Sequence, residues 1–413
     1  MTRILLFNLK SAQVCLPAHI EKLCGSDMAK DFSIENAWIL IEGETIIDMG
    51  SGAPHKIDYN ASFNMEGFSA FPSFCDSHTH LVFAGSREAE FVDKLKGLTY
   101  EEIAQNGGGI LNSAKKLQIT SEDELFHQSF ERAKEVIKFG TGAIEIKSGY
   151  GLTVPDELKM LRVAKKIKEV SPLTVKTTLL AAHALPVEFK SNRADFIKLV
   201  TQEMIPACAS ENLADFIDVF CDKGFFTVDE TNEILEVAAQ YGLQPKIHAN
   251  ELDYSGGIQV GVKNRALSVD HLEYTGEAEI EALLASETMP TLLPSTAFFL
   301  RLKQPPAREM IQAGLPVALA SDYNPGSSPS GNMMFVLSLA CINLRMLPLE
   351  ALHAATINGA YAMNVQQKQG SITIGKKANF FFVKDLTEVA YLPYRFSANL
   401  VNRVMLNGQW ITD

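Results

Sequence analysis

Two histidines one residue apart, His78 and His80, end the apolar run SFCDSHTH. The run predicts a strand, and side chains at positions i and i+2 of a strand point the same way. Two imidazoles placed like this can bind one metal ion together. An isolated H-x-H pair is more often two polar residues on a solvated strand face, so the metal interpretation depends on the rest of the chain.

Eight short apolar runs between residues 70 and 322 alternate with longer amphipathic stretches, and most of them end in a side chain able to do chemistry. The runs are SFCDSHTH (73–80), GAIEIKSGY (142–150), TVKTTLLAAH (174–183), FIDVFCD (216–222), PKIHAN (245–250), LSVDHLE (267–273), MPTLLPST (289–296) and PVALASD (316–322). Their terminal polar residues are His78, His80, Tyr150, His183, His248, His271 and Asp322. Eight parallel strands predict a (β/α)₈ barrel, whose active site lies at the C-terminal ends of the strands.

Helical patterns occupy several of the connections, as at residues 155–170 and 227–242. In the second, Thr227 is placed to cap the start of a helix and Gly242 to end it.

Three imidazoles and one carboxylate at these strand ends predict a catalytic metal site. We assign His78 and His80 from strand one, His248 from strand five and Asp322 from strand eight. This set suits zinc or iron (Fe²⁺ or Fe³⁺) with a position left open for water, whose pKa a metal can lower to about 7. Strand three ends in His183 and strand four in Cys221 and Asp222, so neither offers a strand-end lysine to bridge a second metal, which favours one ion per chain.

Two further residues are candidates for proton transfer. Glu251 follows His248 by three residues, within reach of a water at the metal, although it could also be an exposed loop carboxylate. His271 could be a fifth ligand, an acid or base, or a strand-end histidine with a structural role. The other histidines, His19, His55, His127 and His353, are expected to be structural or solvated.

Charge and composition exclude several partners. The net charge of −12 comes without any block dense in lysine or arginine, which argues against nucleic acid. No apolar run reaches the roughly 18 residues of a membrane span, and residues 1–17 are typical of a strand and loop rather than a signal peptide. Six scattered cysteines without a C-x-x-C pair favour reduced thiols and a cytoplasmic protein.

Both flanks of the barrel sequence are rich in β-formers and turn residues, notably 34–58 and 370–413. We expect a composite β-sandwich domain from residues 1–69 and 366–413, and a barrel domain from residues 70–365, because the termini of a domain often lie close together.

The motifs in this region resemble the amidohydrolase superfamily and, within it, the imidazolonepropionase family. They include HTHLVFAGSREAEF (78–91), NGGGIL (106–111), EIKSGYGL (145–152), AAHALP (181–186), KIHANEL (246–252), SVDHLEYTG (268–276), LLPSTAFFL (292–300) and SDYNPGSSP (321–329). Many amidohydrolases share H-x-H and a late aspartate, whereas the SGYGL and D-x-N-P-G segments are much narrower.

The resemblance implies hydrolysis of 4-imidazolone-5-propanoate to N-formimidoyl-L-glutamate in histidine degradation, in a homodimer. It implies substrate contacts from Arg87, Tyr150, His183, Glu251, Asn324, Gly326 and Ser327, and catalytic roles for Glu251, His271 and Asp322. Ser327 stands where threonine is common in the family, and it keeps the hydroxyl.

An anion-binding set, Arg87 with Tyr150 and Asn324, separates the alternatives. A guanidinium can bind a propanoate carboxylate, whereas a neutral nucleobase would not need such a set. The nearest rival is a cytosine- or guanine-type deaminase of the same superfamily. A second rival, a catalytically dead barrel used as a scaffold, has no physical reason to keep every ligand together with Glu251 and His271.

Overall fold

The computed structural model describes residues 2–54, 57–98 and 108–411 and builds them into two sheets. The strands are β1 Arg3–Ala12, β2 Ile34–Glu42, β3 Thr45–Ser51, β4 Ala61–Asn64, β5 Phe68–Pro72, β6 Phe74–Asp76, β7 Thr141–Lys147, β8 Thr174–Ala182, β9 Phe216–Cys221, β10 Gln244–Ala249, β11 Ser268–His271, β12 Met289–Leu292, β13 Ala318–Leu319, β14 Phe380–Lys384, β15 Arg403–Leu406 and β16 Gln409–Trp410.

Strands β6 to β13 form one parallel sheet in chain order, which confirms the eight strands predicted from the apolar runs. The sheet closes where its first and last members end. Thr79 bridges Tyr323 in parallel, the His80 amide donates to the Tyr323 carbonyl at 2.9 Å, and the Asp322 amide donates to the His78 carbonyl at 3.0 Å. This closure brings the two ends of the barrel sequence together at the predicted metal site.

In the described residues, α-helices fill the connections between these strands, and four more follow β13. They are α1 Glu88–Leu95, α2 Ile110–Ile119, α3 Glu122–Lys138, α4 Val154–Val170, α5 Arg193–Leu199, α6 Ile205–Ser210, α7 Val228–Gln240, α8 Gly257–Lys263, α9 Glu277–Leu284, α10 Pro294–Leu300, α11 Ala307–Ala313, α12 Met333–Asn343, α13 Pro348–His353, α14 Gly359–Tyr361 and α15 Tyr391–Tyr394. Both predicted helices are confirmed: Thr227 caps α7 through a reciprocal pair with Glu230, and Gly242 follows the helix at φ +75°. No helix in these ranges is long and apolar enough to span a membrane.

The second sheet draws strands from both flanks, in the order β16-β15-β14-β5-β1-β2-β3, with β4 beside β1. The flanking segments therefore meet, as expected. The division into two domains stays a prediction, and strand β5 crosses its boundary between residues 69 and 70.

Aromatic packing joins the second sheet to the barrel. The ring of Phe381 in β14 stacks on Phe71 at 4.9 Å between centroids and packs against Phe74 of β6 at 4.7 Å. All three side chains are fully buried. Because β6 leads directly to His78 and His80, this contact fixes the start of the strand that positions both histidines.

Candidate active site

Five histidines converge at the C-terminal end of the barrel. His78, His248 and His271 form one group whose nearest ligand atoms lie within 4.8 Å of one another, and His80, His183 and His248 form a second. A third group within the same distance consists of His78, His80 and Asp322. The structure therefore brings the four predicted ligands together, although His78, His80 and Asp322 follow their strands instead of belonging to them.

Buried nitrogen and oxygen atoms without hydrogen-bond partners at the centre of these ligand groups show whether the site suits a metal. Within the described part of the chain, His78 Nε2 and Asp322 Oδ1 are buried without a hydrogen-bond partner, 3.6 Å from each other. His80 Nε2 lies 3.6 Å from the same oxygen and 3.5 Å from His248 Nε2. Buried polar atoms without partners are costly, and a cation among them would satisfy all of them. The residues fit a divalent metal.

The other oxygen of Asp322 is held by hydroxyl groups. Thr296 Oγ1 donates to Oδ2 at 2.5 Å and Ser327 Oγ donates at 3.3 Å. These bonds leave Oδ1 turned toward His78 and His80. Burial raises the pKa of Asp322 to about 6.

His78 and His80 are held in the neutral form that a metal requires of an imidazole ligand. Burial, reinforced by the positive charge of neighbouring groups, lowers the pKa of His78 and His80 well below the usual value. Burial likewise lowers the pKa of His183 to about 3.

Two aspartates missed by the sequence analysis orient the ligand rings from behind. Asp270 Oδ2 lies 2.6 Å from His78 Nδ1, and Asp218 Oδ2 lies 2.9 Å from His248 Nδ1. Such carboxylates select the tautomer and fix the ring plane of a metal ligand. The available signal is a charged residue inside an otherwise apolar barrel strand, as in FIDVFC and SVDH.

Glu251 and His271 lie side by side. Glu251 Oε2 is 3.7 Å from His271 Nδ1. Burial, with the nearby charges of Asp322 and Asp222, raises the pKa of Glu251 to about 8. His271 has φ +87°, a rare backbone conformation that places its ring near His78 and His248. His271 therefore lies next to both His78 and His248 of the metal-binding group and the Glu251 carboxylate.

The two glycines of SGYGL let the loop fold closely around a buried carboxylate. Glu157 accepts hydrogen bonds from the amides of Gly149 at 2.9 Å and Gly151 at 2.8 Å. A Cβ on Gly149 would lie 2.8 Å from His183 Nδ1, which itself pairs with the Gly149 carbonyl at 3.0 Å. The loop presents Tyr150 to the site, with its ring centroid 5.7 Å from that of His80. The ring is nevertheless almost fully buried.

Asn324 organises the segment DYNPGS. Its Nδ2 donates to the Asp322 carbonyl and to Ser327 Oγ, at 2.7 Å each. Its Oδ1 accepts from the amides of Gly326 at 2.7 Å and Ser327 at 2.8 Å. These four bonds use all the donors and acceptors of the amide. Asn324 therefore shapes the loop that carries Ser327 to Asp322.

Arg87 lies just before α1, with its side chain 10% exposed. Its Nε and Nη2 donate to Glu90 at 2.8 and 2.7 Å. A Cβ on Gly326 would lie 2.1 Å from Arg87 Nη1, so the absence of a side chain there makes room for the guanidinium. The pairing with Glu90 was not anticipated, although the sequence REAE places the two residues three apart at the start of a helix.

A cavity of about 600 Å³ opens above these residues. Its polar wall contains His80, Arg87, Tyr150, His183, His248, Glu251, His271, Asp322, Asn324, Gly326 and Ser327. His78 lies beneath this wall. Apolar side chains, among them Phe91, Leu95 and Phe299, line the rest. A mostly apolar space with a few converging polar groups is typical of a small-molecule site.

The arrangement of H-x-H, two further barrel histidines and a late aspartate has a counterpart in a known family. The sequence model of the amidohydrolase family matches residues 69–411. The chain belongs to the amidohydrolase family. Metal dependence is a property of that family, and the histidine groups of this amidohydrolase agree with it.

Several relatives of this amidohydrolase carry one name. It is 51% identical over 409 residues to the imidazolonepropionase of Flavobacterium johnsoniae, covering 98% of this chain and 99% of the relative. It is 50% identical to that of Christiangramia forsetii, covering 99% and 100%. A relative of the same name from Alkaliphilus oremlandii is 39% identical, covering 97% and 96%.

Solved structures support the fold. A triazine hydrolase variant superposes with a TM-score of 0.75 at 15% identity, covering 100% of this amidohydrolase and 95% of that chain. A guanine deaminase from C. acetobutylicum gives a TM-score of 0.72 at 16% identity, with full coverage of both. At this identity the likeness concerns architecture alone.

The other three histidines among the described residues of this amidohydrolase do not line the cavity. His19 and His127 are exposed, and the buried His353 pairs through Nδ1 with the Met28 carbonyl at 2.8 Å. His55 and the first two residues of NGGGIL lie outside the described residues.

Proposed function

We propose that this chain is an imidazolonepropionase, which hydrolyses 4-imidazolone-5-propanoate to N-formimidoyl-L-glutamate in histidine degradation. The observation that carries the proposal is a largely buried guanidinium, that of Arg87, in the same cavity as the metal-binding residues. The full-length relatives named imidazolonepropionase point to the same activity. The cofactor is one zinc or iron ion per chain.

His78, His80, His248 and Asp322 would hold that ion, and His271 is placed close enough to join them. A metal bound there would act as a Lewis acid, polarising the ring carbonyl and lowering the pKa of water. The neutral imidazoles and the free Oδ1 of Asp322 supply the donors.

The reaction adds water across the cyclic amide. The oxygen of water bonds to the carbonyl carbon, the bond from that carbon to the ring nitrogen breaks, and a proton from water ends on the released nitrogen. Glu251, His271 and Asp322 line the cavity where this proton must travel. Glu251 Oε2 lies 3.7 Å from His271 Nδ1, so these two groups are placed to take and return a proton in the cavity.

The propanoate group of the substrate requires a local cation, because the protein as a whole carries a net charge of −12. Arg87 provides it, with Gly326 leaving space beside its Nη1. Lys94 lines the same cavity and adds a second positive charge. Tyr150 and His183 form the wall next to His80 and contact the ring of the substrate.

Purified protein, reconstituted separately with Zn²⁺ and Fe²⁺, should consume imidazolonepropanoate and leave cytosine and guanine unchanged. Loss of the ultraviolet absorbance of each compound measures its turnover. Deamination of a nucleobase without turnover of imidazolonepropanoate would replace the proposal with the nearest alternative. Catalysis of neither reaction would favour the scaffold. The proposal places the enzyme in the cytoplasm as a homodimer. Sedimentation of the purified protein would test the homodimer.

A further inference from the structure

Five charged side chains are completely buried inside the barrel beneath the metal-binding histidines. They are Glu145, Lys147, Asp218, Lys246 and Asp270, each with 0% exposure. Two ammonium groups against three carboxylates leave one net negative charge. Burying charges is costly unless each is paired, so a network of this size requires a reason.

Lys147, the last residue of β7, is the centre of the network. Its Nζ bonds Glu145 Oε1 at 2.6 Å and Asp218 Oδ2 at 2.7 Å, and lies 3.6 Å from Asp270 Oδ2. This strand-end lysine was not predicted from the sequence. Because its ammonium is tied to these carboxylates, it is not placed to bridge a second metal.

The oxygens near Lys147 are the same ones that orient the metal ligands. Asp218 Oδ2 accepts from Lys147 and lies 2.9 Å from His248 Nδ1. Asp270 Oδ2 lies 2.6 Å from His78 Nδ1 and faces the same ammonium. One cation is therefore shared by two carboxylates that hold two different ligands.

Lys246 anchors the network to the backbone. Its Nζ donates to the Ser77 carbonyl at 2.9 Å and is also paired with Glu145. Ser77 directly precedes His78, so this bond restrains the chain that carries the ligand. Glu145 joins the two lysines, since one of its oxygens bonds each.

We infer that Lys147 is a positioning residue that couples His78 and His248 into one preorganised pair of metal ligands, acting through Asp270 and Asp218. Removing the ammonium leaves three buried carboxylates with Lys246 as the one cation of this network, and the two histidine rings lose their common support. The inference rests on the proposed metal site and is independent of the proposed substrate.

Lys147→Met tests the coupling by the sign of its effect on metal affinity. Simple electrostatics predicts tighter Zn²⁺ binding, because a positive charge near the ion has been removed. Positioning predicts the opposite, a loss of at least about tenfold, within the range typical of residues behind metal ligands. The Zn²⁺ dissociation constant is measured by competition with a chromophoric chelator. Unchanged or tighter binding in the folded variant would overturn the inference.

Lys376→Met is the matched control. Its ammonium is also buried, 4% exposed, but it bonds Ser371 instead of a carboxylate behind a metal ligand. It should alter stability and leave Zn²⁺ affinity as in the wild type. An equal loss of affinity in both lysine variants would mean that any buried lysine has this effect, which would also overturn the inference.

Isosteric variants keep the test valid if Lys147→Met does not fold. Asp218→Asn and Asp270→Asn should each weaken Zn²⁺ binding about 10–100-fold. Since both carboxylates share the one Lys147 ammonium, the double variant should lose less than the product of the two single losses. Full multiplicativity would contradict the coupling. Wild-type protein that binds Zn²⁺ but leaves imidazolonepropanoate unchanged would contradict the proposed function alone.

Discussion

Glu90 fixes the guanidinium of Arg87 through a single oxygen, Oε2, which accepts from Nε at 2.8 Å and lies 2.7 Å from Nη2. The same carboxylate accepts from the Gly109 amide at 3.0 Å and from Asn112 Nδ2 at 2.9 Å. The arginine is therefore held in place before any substrate arrives. Preorganisation of this kind lowers the entropic cost of binding an anion.

Replacing Arg87 by alanine should weaken the handling of imidazolonepropanoate. Loss of a charge-assisted hydrogen bond costs about 1.5–3 kcal/mol, or roughly ten- to hundredfold in kcat/KM. An analogue without the propanoate carboxylate should be spared, since it has no partner for the guanidinium. Both compounds are assayed with both proteins, and equal losses on the two would assign Arg87 a structural role.

Gly326→Ala should reproduce part of the Arg87 defect. The backbone of Gly326 lies outside the left-handed region, so alanine is tolerated there except for its Cβ, which would lie 2.1 Å from Arg87 Nη1. We expect a higher KM for imidazolonepropanoate. The same substitution made in Arg87→Ala is the control and should add little, whereas additive losses would show that Gly326 acts independently of Arg87.

The site residues that could be predicted from the sequence are those that stand at the ends of barrel strands. Parallel strands end at one face of a barrel, and His248, His271 and Asp322 each close an apolar run. The prediction was less accurate about strand length: β6 ends at Asp76, two residues before His78. Pairing across the closure, which no local pattern reveals, determines where that strand stops.

The supporting residues could not be predicted in the same way. Asp270 contacts His78, which is 192 positions away, and Lys147 contacts Asp218, which is 71 positions away. Each pairing depends on the order of the strands in the sheet and on the face of the barrel to which each side chain belongs. A single sequence contains the charged residues but not their partners.

His248→Ala should remove most of the metal and most of the activity together, because the site has few spare donors. Elemental analysis and turnover are measured on the same preparation. Full activity with the metal retained would remove His248 from the ligand set. Two metal ions per wild-type chain would contradict the single-ion site.

The proton carriers should affect kcat more than KM. Glu251→Gln, His271→Asn and Asp322→Asn each remove a group that can move a proton in the cavity, and such groups contribute about 10²–10⁴-fold. Metal content is determined for each variant, so that loss of a ligand is distinguished from loss of an acid or base. Full activity of both Glu251→Gln and His271→Asn would leave Asp322 as the carrier.

Lys376 should make the protein more stable at alkaline pH. Burial lowers its pKa from 10.5 to about 8, so between these values the folded chain has released a proton that the unfolded chain still binds. The free energy of unfolding therefore rises with pH across this window, by up to about 3 kcal/mol. Urea unfolding at about pH 7.5 and about pH 10 should show this rise in the wild type relative to Lys376→Met. An equal change in the free energy of unfolding with pH in the wild type and in Lys376→Met would refute this prediction.

The central claim, that water attacks the cyclic amide of imidazolonepropanoate, is tested most directly by turnover in H₂¹⁸O. Mass spectrometry with fragmentation locates the label in the product. Attack on the amide carbonyl predicts one ¹⁸O, in the newly formed carboxylate of N-formimidoyl-glutamate. An ¹⁸O-labelled formyl product, which attack on the carbon between the two ring nitrogens would give, or no product from the metal-loaded enzyme, would contradict the account.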